Sequence, residues 1–340
     1  MNLFKRLTCI VILAAVSLAM TGCYDVIYLS NDNASSTAEP ISPYNENVKK
    51  INSNVVCYFG YSEPDDSDGQ QFLVAETHSI DYSSGNYEKQ LLNELVKGPT
   101  QKGKRIVSLI PKGTTFIVNT KEQERFVSVT ISSTFFTAPT NFPSDWSSRS
   151  DYIEKYNMQK RLAIYSIVDT LTESGKYDRV QILIDYDGSG FGEIPTRKEV
   201  GFTRGENSGE LLETMYRTTE VILTPENTIN TIMYYLKKDS LENLYELIML
   251  VDLDGVKKPT QEEVIKTLED LDVTVTSYNS TNSVVSPDGT TATLILNADL
   301  QIGAGTNKET KYFKNLTIRL VKEDGIWKIQ YSDLIENLTN

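Results

Sequence analysis

After Met20 this 340-residue chain has no apolar run that approaches bilayer length. A membrane-spanning helix needs about 20 apolar residues. The early run from Leu7 to Met20 is shorter than that. Everything beyond it has to bury its apolar side chains through short strands and one-sided helices, so it reads as soluble and globular. Hydrophobic residues at 39% and charged residues at 23% fit that class. At about 100–200 residues per domain, the length allows two domains.

The early run has a special order. Lys5 and Arg6 precede it, and Met20-Thr21-Gly22-Cys23 closes it. A basic lead, an apolar stretch of about 7–15 residues and small residues at the cut make a secretory signal. A cysteine directly behind the cut is the layout of a bacterial lipoprotein signal, with Met20 standing where Leu is usual. The expectation is a signal peptide over 1–22, with a lipid thioether on Cys23 as the first mature residue. Residues 23–50 are rich in Ser, Asn, Asp and Pro and read as a flexible tether, spanning on the order of 30 Å. The expected location is the outer face of the cytoplasmic membrane, with that lipid as the membrane contact.

The formal net charge is −13, and loss of Lys5 and Arg6 makes it two units more negative. That balance argues against nucleic acid, whose phosphates need a basic face, and against a body lying flat on anionic lipid. Of three cysteines, Cys9 leaves with the signal and Cys23 carries lipid, so Cys57 has no disulfide partner within the mature chain. Within Val55-Val56-Cys57-Tyr58-Phe59 it reads as a buried small hydrophobe. A catalytic thiol would want a histidine, and nothing in the sequence links Cys57 to the single histidine, His78.

The spacing predicts strands at 55–61, 71–80, 105–110, 114–119, 125–132 and 179–185. It predicts helices at 87–96 and 151–172, the first ended by Gly98 in the left-handed region and by Pro99. A polar stretch at 203–210 suggests a boundary. Beyond it, Thr224-Pro225-Glu226 marks a helix start. Capping-box spacings stand at Asp239–Glu242 and Thr260–Glu263. Helices are expected at 225–237, 240–251 and 260–270. Strands are expected at 273–279, 291–301, 310–321 and 325–332, with hairpin signals at Asp288-Gly289 and Asp324-Gly325. The fold class is α+β.

A series of segments resembles the GerMN domain of the GerM family of spore germination and sporulation lipoproteins. They are Val56–Gly60, Leu73–Glu76, Leu95–Pro99, Ile110–Thr114, Val127–Ser132, Tyr165–Thr172 and Val180–Asp185, in the family's order. Two positions depart from it. Asp169 stands where Asn is usual before Thr-Leu, and the 127–132 strand ends in Ser-Ser rather than Asp-Leu-Ser. The resemblance implies a GerMN α/β sandwich domain over 51–205, in one copy where GerM has two. It also implies assembly outside the membrane rather than catalysis, since the fold is similar to the ring-building modules of sporulation complexes. Residues 215–340, through Thr317–Ile329, resemble the cone-shaped SnoaL-like α+β fold, which hosts enzymes and non-enzymes alike.

Other motifs are weaker. Asp185–Gly192 is Gly-rich after a strand but lacks the spacing of a dinucleotide loop. Asp65, Asp66 and Asp68, and Asp252-Leu253-Asp254-Gly255, fit no calcium-loop register. Tyr234, Tyr245 and Asp252 are candidates for acid–base work in a cone pocket. The 19 tyrosines are candidates for a sugar-stacking face or for packing. No cofactor, metal or catalytic residue is expected. The leading expectation is a structural or protein-interaction lipoprotein of the cell envelope, in sporulation or germination, contacting envelope proteins or itself. The alternatives are a peptidoglycan binder, or a small-molecule binder or enzyme using the cone pocket.

Overall fold

The computed structural model describes residues 51–62, 72–83, 85–101, 105–203, 207–303 and 308–339. The signal, Cys23, the tether and the Asp65–Asp68 turn lie outside them.

Strand β1 (Ile51–Tyr61) alternates around a β-branched and aromatic run, and β2 (Leu73–Tyr82) pairs with it antiparallel, from Ile51 opposite Tyr82 to Gly60 opposite Leu73. On its other side, among the described residues, β1 pairs only with the two-residue β3 (Ile106–Val107), at Gly60 and Tyr61. Helix α1 (Tyr87–Lys97) buries Leu91, Leu92 and Leu95. Gly98 ends it with φ 89° but ψ 179°, so the positive φ expected of that glycine is present while its ψ is extended. The second sheet runs β4-β5-β6-β7. Here β4 (Phe116–Lys121) is antiparallel to β5 (Phe126–Ser132), which is parallel to β6 (Arg179–Asp185). The short β7 (Met215–Tyr216) closes that side. Parallel β5 and β6 require a long crossover, and helix α2 (Ser150–Thr172) supplies it.

The buried half of α2 contacts both β1 and β6. Where β1 lacks a strand partner, the helix takes the backbone bonds. Ser166 Oγ donates to the Tyr58 carbonyl at 2.5 Å, and the Tyr58 N–H donates to Thr170 Oγ1 at 3.1 Å. Ser166 and Thr170 are four residues apart and so share a helix face. Gly201 locks the outer half of the helix. Its φ is +92°, and a Cβ there would lie 1.9 Å from the Asn157 carbonyl oxygen.

In the C-terminal part, α3 (Pro225–Lys238) begins as its sequence predicts, with Thr224 Oγ1 accepting from the Asn227 N–H. Helix α5 (Gln261–Leu271) carries the full Thr260–Glu263 capping box. The box expected at Asp239–Glu242 is absent. Asp239 is in the left-handed region at φ 56° and terminates α3, leaving Ser240 to precede α4 (Leu241–Glu246). That helix is shorter than expected because the chain beyond it turns to β-type bonding, with Met249 N–H donating to the Ile329 carbonyl. The sheet runs β11-β10-β9-β8, from β8 (Thr274–Val285), β9 (Thr291–Ile302), β10 (Glu309–Glu323) and β11 (Ile326–Ile329). Asp324 and Gly325 both have positive φ, as a tight hairpin requires. The chain does not stay extended to 332. Tyr331–Thr339 forms α6, burying Leu334 and Leu338.

The two parts are joined by backbone bonds and a half-exposed ion pair. Leu73 exchanges backbone bonds with Val221 and Leu223, and Arg105 pairs with Glu246 at 3.2 Å. One apolar cluster runs from Val55 to Leu338.

Replacing Ser166 with alanine leaves the buried Tyr58 carbonyl without its donor. The expected cost is about 1–3 kcal/mol, seen as a lower urea midpoint with an unchanged slope. Ser166→Thr, which restores the hydroxyl, is expected to recover most of it.

Candidate functional site

Three places hold unusual chemistry. The first is the seam beside α2. Tyr58 Oη donates to Glu173 Oε2 at 2.6 Å and accepts from Arg217 Nη2 at 2.7 Å, while Arg217 also pairs with Glu173. One turn earlier, Asp169 is fully buried. Its Oδ1 accepts from the Thr218 N–H at 3.1 Å, and Oδ2 has no hydrogen-bond partner. Burial pushes this carboxyl up to about 7, against the opposing pull of the Thr218 N–H and Arg217. The seam ties the 217–218 segment to the helix.

The second is under α1. His78 sits between Glu94, with Nδ1 to Oε2 at 3.4 Å, and Glu76, with Nε2 to Oε1 at 3.6 Å. Its ring packs at 5.1 Å from that of Phe59. Glu76 also accepts from the Thr100 N–H at 2.9 Å. Cys57 stands opposite Glu76 in the β1–β2 register. Sequence reasoning found no link between Cys57 and His78, and the pairing supplies one through Glu76. Burial first, then the charges of Glu94 and Glu76, push the Cys57 thiol up to about 12. A thiol held in that form is a poor nucleophile.

The third is the outer edge of β4. Its register with β5 is unbroken from Phe116–Ile131 to Lys121–Phe126. Ser132 N–H donates to the Thr115 carbonyl, so by alternation Ile117 and Asn119 carry the ladder bonds. Phe116, Val118 and Thr120 then aim their N–H and C=O groups away from β5. These three residues line a cleft of about 780 Å³, together with Ile51 and Tyr82 of the first sheet and Tyr87 of α1. The Ile117 side chain is 46% exposed. By contrast, β8, the last strand of its own sheet, pairs with β9 through two register shifts, a feature that blunts edge pairing.

The remaining sequence candidates have structural uses. Asp252 accepts from the Tyr331 and Ser332 N–H groups, both at 2.9 Å, and so caps α6. Tyr245 Oη donates to the Pro259 carbonyl at 3.1 Å, with the Lys258 ammonium 3.6 Å from its ring centre. Tyr234 packs on Tyr235. Aliphatic and aromatic side chains of α3, the sheet and α6 fill the space between them, apart from a cavity of about 40 Å³ that neither tyrosine nor Asp252 lines. In the Asp185–Gly192 loop, the Asp185 carboxylate accepts from the N–H groups of Gly188 and Gly190, closing the loop on itself. Among the described residues no three His, Cys, Asp or Glu side chains gather to hold a metal. No helix among them is long and apolar enough to cross a membrane.

The family model described as Germane, sporulation and spore germination, matches residues 56–186. Among solved structures, the tandem GerMN domains of the sporulation protein GerM from Bacillus subtilis are similar at 18% identity, covering 50% of this chain and 48% of that one, with a TM-score of 0.32. The first GerMN domain of the same protein is similar at 20% identity, covering 38% of this chain and 82% of that one, with a TM-score of 0.25. The chain thus spans about half of the tandem structure. No curated protein matches it. Over residues 56–186 the chain is similar to the Germane family of sporulation and spore germination.

Asp169 generates a pH test. Its folded value of about 7 exceeds the ordinary 3.8, so the folded chain holds a proton that the unfolded chain has released. Stability is therefore expected to fall as pH rises from about 4 to about 7 and then to level. Asp169→Asn, the residue usual in the resembled family, is expected to remove this part of the slope. It should raise stability at pH 8 by about 1–3 kcal/mol, read from urea unfolding at several pH values.

Proposed function

We propose that this chain is a lipid-anchored lipoprotein of the outer face of the cytoplasmic membrane, with a structural role in an envelope assembly of sporulation or germination. The open β4 edge carries this reading. It offers a regular row of backbone donors and acceptors beside an exposed isoleucine and a cleft, the arrangement that accepts an added strand. The Germane match over 56–186 supports the biological setting. The basic–apolar–small–cysteine order ending at Cys23 supports the anchor. In this reading the C-terminal helices and meander form a cone-type docking module. Their filled interior favours a surface role over one in an internal pocket.

Two variants test it. Val118→Pro removes an outward N–H and leaves the β5 ladder intact, because proline is tolerated at such edge positions. The proposal expects sedimentation to show self-association of the wild type and its loss in the variant, with unchanged circular dichroism. Cys23→Ala is expected to release the protein from the membrane fraction and to abolish the lipid mass on the mature N-terminus.

A further inference from the structure

Phe191 is 84% exposed, more than any other large hydrophobic side chain among the described residues. It stands in the Gly-rich Asp185–Gly192 loop, and the backbone around it is fixed. Asp185 accepts from the Gly188 and Gly190 N–H groups, and Ile184 and Glu193 exchange both of their backbone bonds. The flanking glycines lie on the outer face of the second sheet. A Cβ at Gly192 would stand 2.6 Å from the Leu183 Cβ and 2.7 Å from the Thr130 Cγ2, and one at Gly190 would stand 3.5 Å from the Ile117 Cδ1. Leu183, Thr130 and Ile117 are neighbours in one row across β6, β5 and β4. The loop therefore crosses the sheet along that row toward the open β4 edge, and only a glycine at 192 lets its backbone come so close.

We propose that Phe191 is the anchor of a twofold contact in which the β4 strands of two copies of this chain pair antiparallel. The inference rests on the reading of β4 as an assembly edge, and adds to it a partner, a register and an anchor residue. A phenyl ring held in water on a fixed loop does nothing for the core, whereas loops on a rigid scaffold carry binding residues. Aromatic side chains are enriched at the centres of protein contacts.

The outward groups of β4 fix the register. In an antiparallel pair, residues opposite one another alternate between exchanging two backbone bonds and exchanging none. Phe116, Val118 and Thr120 are the residues whose N–H and C=O groups face away from β5. A twofold axis at Val118 sets it against the partner's Val118, and sets Phe116 against the partner's Thr120, so every outward group of these three residues is bonded. The same axis sets Ile117 against the partner's Asn119 and Lys121 against the partner's Thr115, so no like charges of the strand stand opposite one another. Ile117 of each copy then lies on one face of the joined sheet. Each Phe191 loop lies on that face beside its own Ile117, one strand spacing of about 5 Å from the partner strand. The two phenyl rings and two isoleucines cover one another across the seam, which is the self-complementary patch that a twofold contact needs.

The test is sedimentation equilibrium of the mature chain, with Phe191→Ser, Phe191→Leu and Val118→Pro beside the wild type. Phe191→Ser is expected to weaken self-association at least tenfold with unchanged circular dichroism, because the ring takes no part in the core. Phe191→Leu is expected to retain most of the association. Oxidative crosslinking in the Cys23→Ala background, where the remaining Cys57 is buried, reads the register. Ile117 and the partner's Asn119 form a pair without mutual backbone bonds, close enough for a disulfide. A mixture of Ile117→Cys and Asn119→Cys chains is therefore expected to crosslink more than either variant alone. Loss of self-association in Val118→Pro but not in Phe191→Ser overturns the anchor and leaves the edge standing. Self-association kept in Val118→Pro overturns the edge and this inference together, as does a wild type that stays monomeric. Crosslinking of either variant alone as strongly as of the mixture overturns the register.

Discussion

The structure depends on how β1 ends its pairing. One side is fully matched to β2, while the other meets β3 at only two residues. A buried strand cannot leave backbone groups unpaired without a cost of a few kcal/mol. Helix α2 solves this with Ser166 and Thr170, which bond the Tyr58 carbonyl and N–H in place of a neighbouring strand. The same helix is the crossover that makes β5 and β6 parallel, so one element links the two sheets of the N-terminal part. Glu173 and Asp169, on its last turns, then fasten Arg217 and Thr218.

That arrangement leaves chemistry at the surface. The cores are filled, Cys57 is buried with its thiol pushed up to about 12, and Asp252 is spent on capping α6. What stays available is the outer edge of β4. An edge that accepts a strand suits a chain holding position between envelope components.

Much of the fold was legible in sequence wherever the signal was local. The Thr260–Glu263 box, the Thr224-Pro225 start and the tight turn at Asp324-Gly325 all involve residues within three or four positions of one another, and all three appear. Failures came where distant partners decide. Asp239 looked like a cap but terminates α3, and α4 stops early because residues near Met249 bond to β11. Helix α6 was missed, because its cap is Asp252, about eighty positions away. Its apolar signal was present in Leu334 and Leu338. The resemblance to GerMN proteins was readable because it rests on an ordered series of short segments. The change at Asp169 acquires a physical meaning only once its burial is known.

The central claim is that the β4 edge is an assembly surface. Residue-resolved amide hydrogen exchange of the mature protein, at low and high protein concentration, tests it most directly. The account predicts that the outward amides of Phe116, Val118 and Thr120 become slow to exchange as the protein assembles. Ile117 and Asn119, already bonded to β5, should be slow at both concentrations. Rapid exchange of the outward amides in an assembled sample would contradict it.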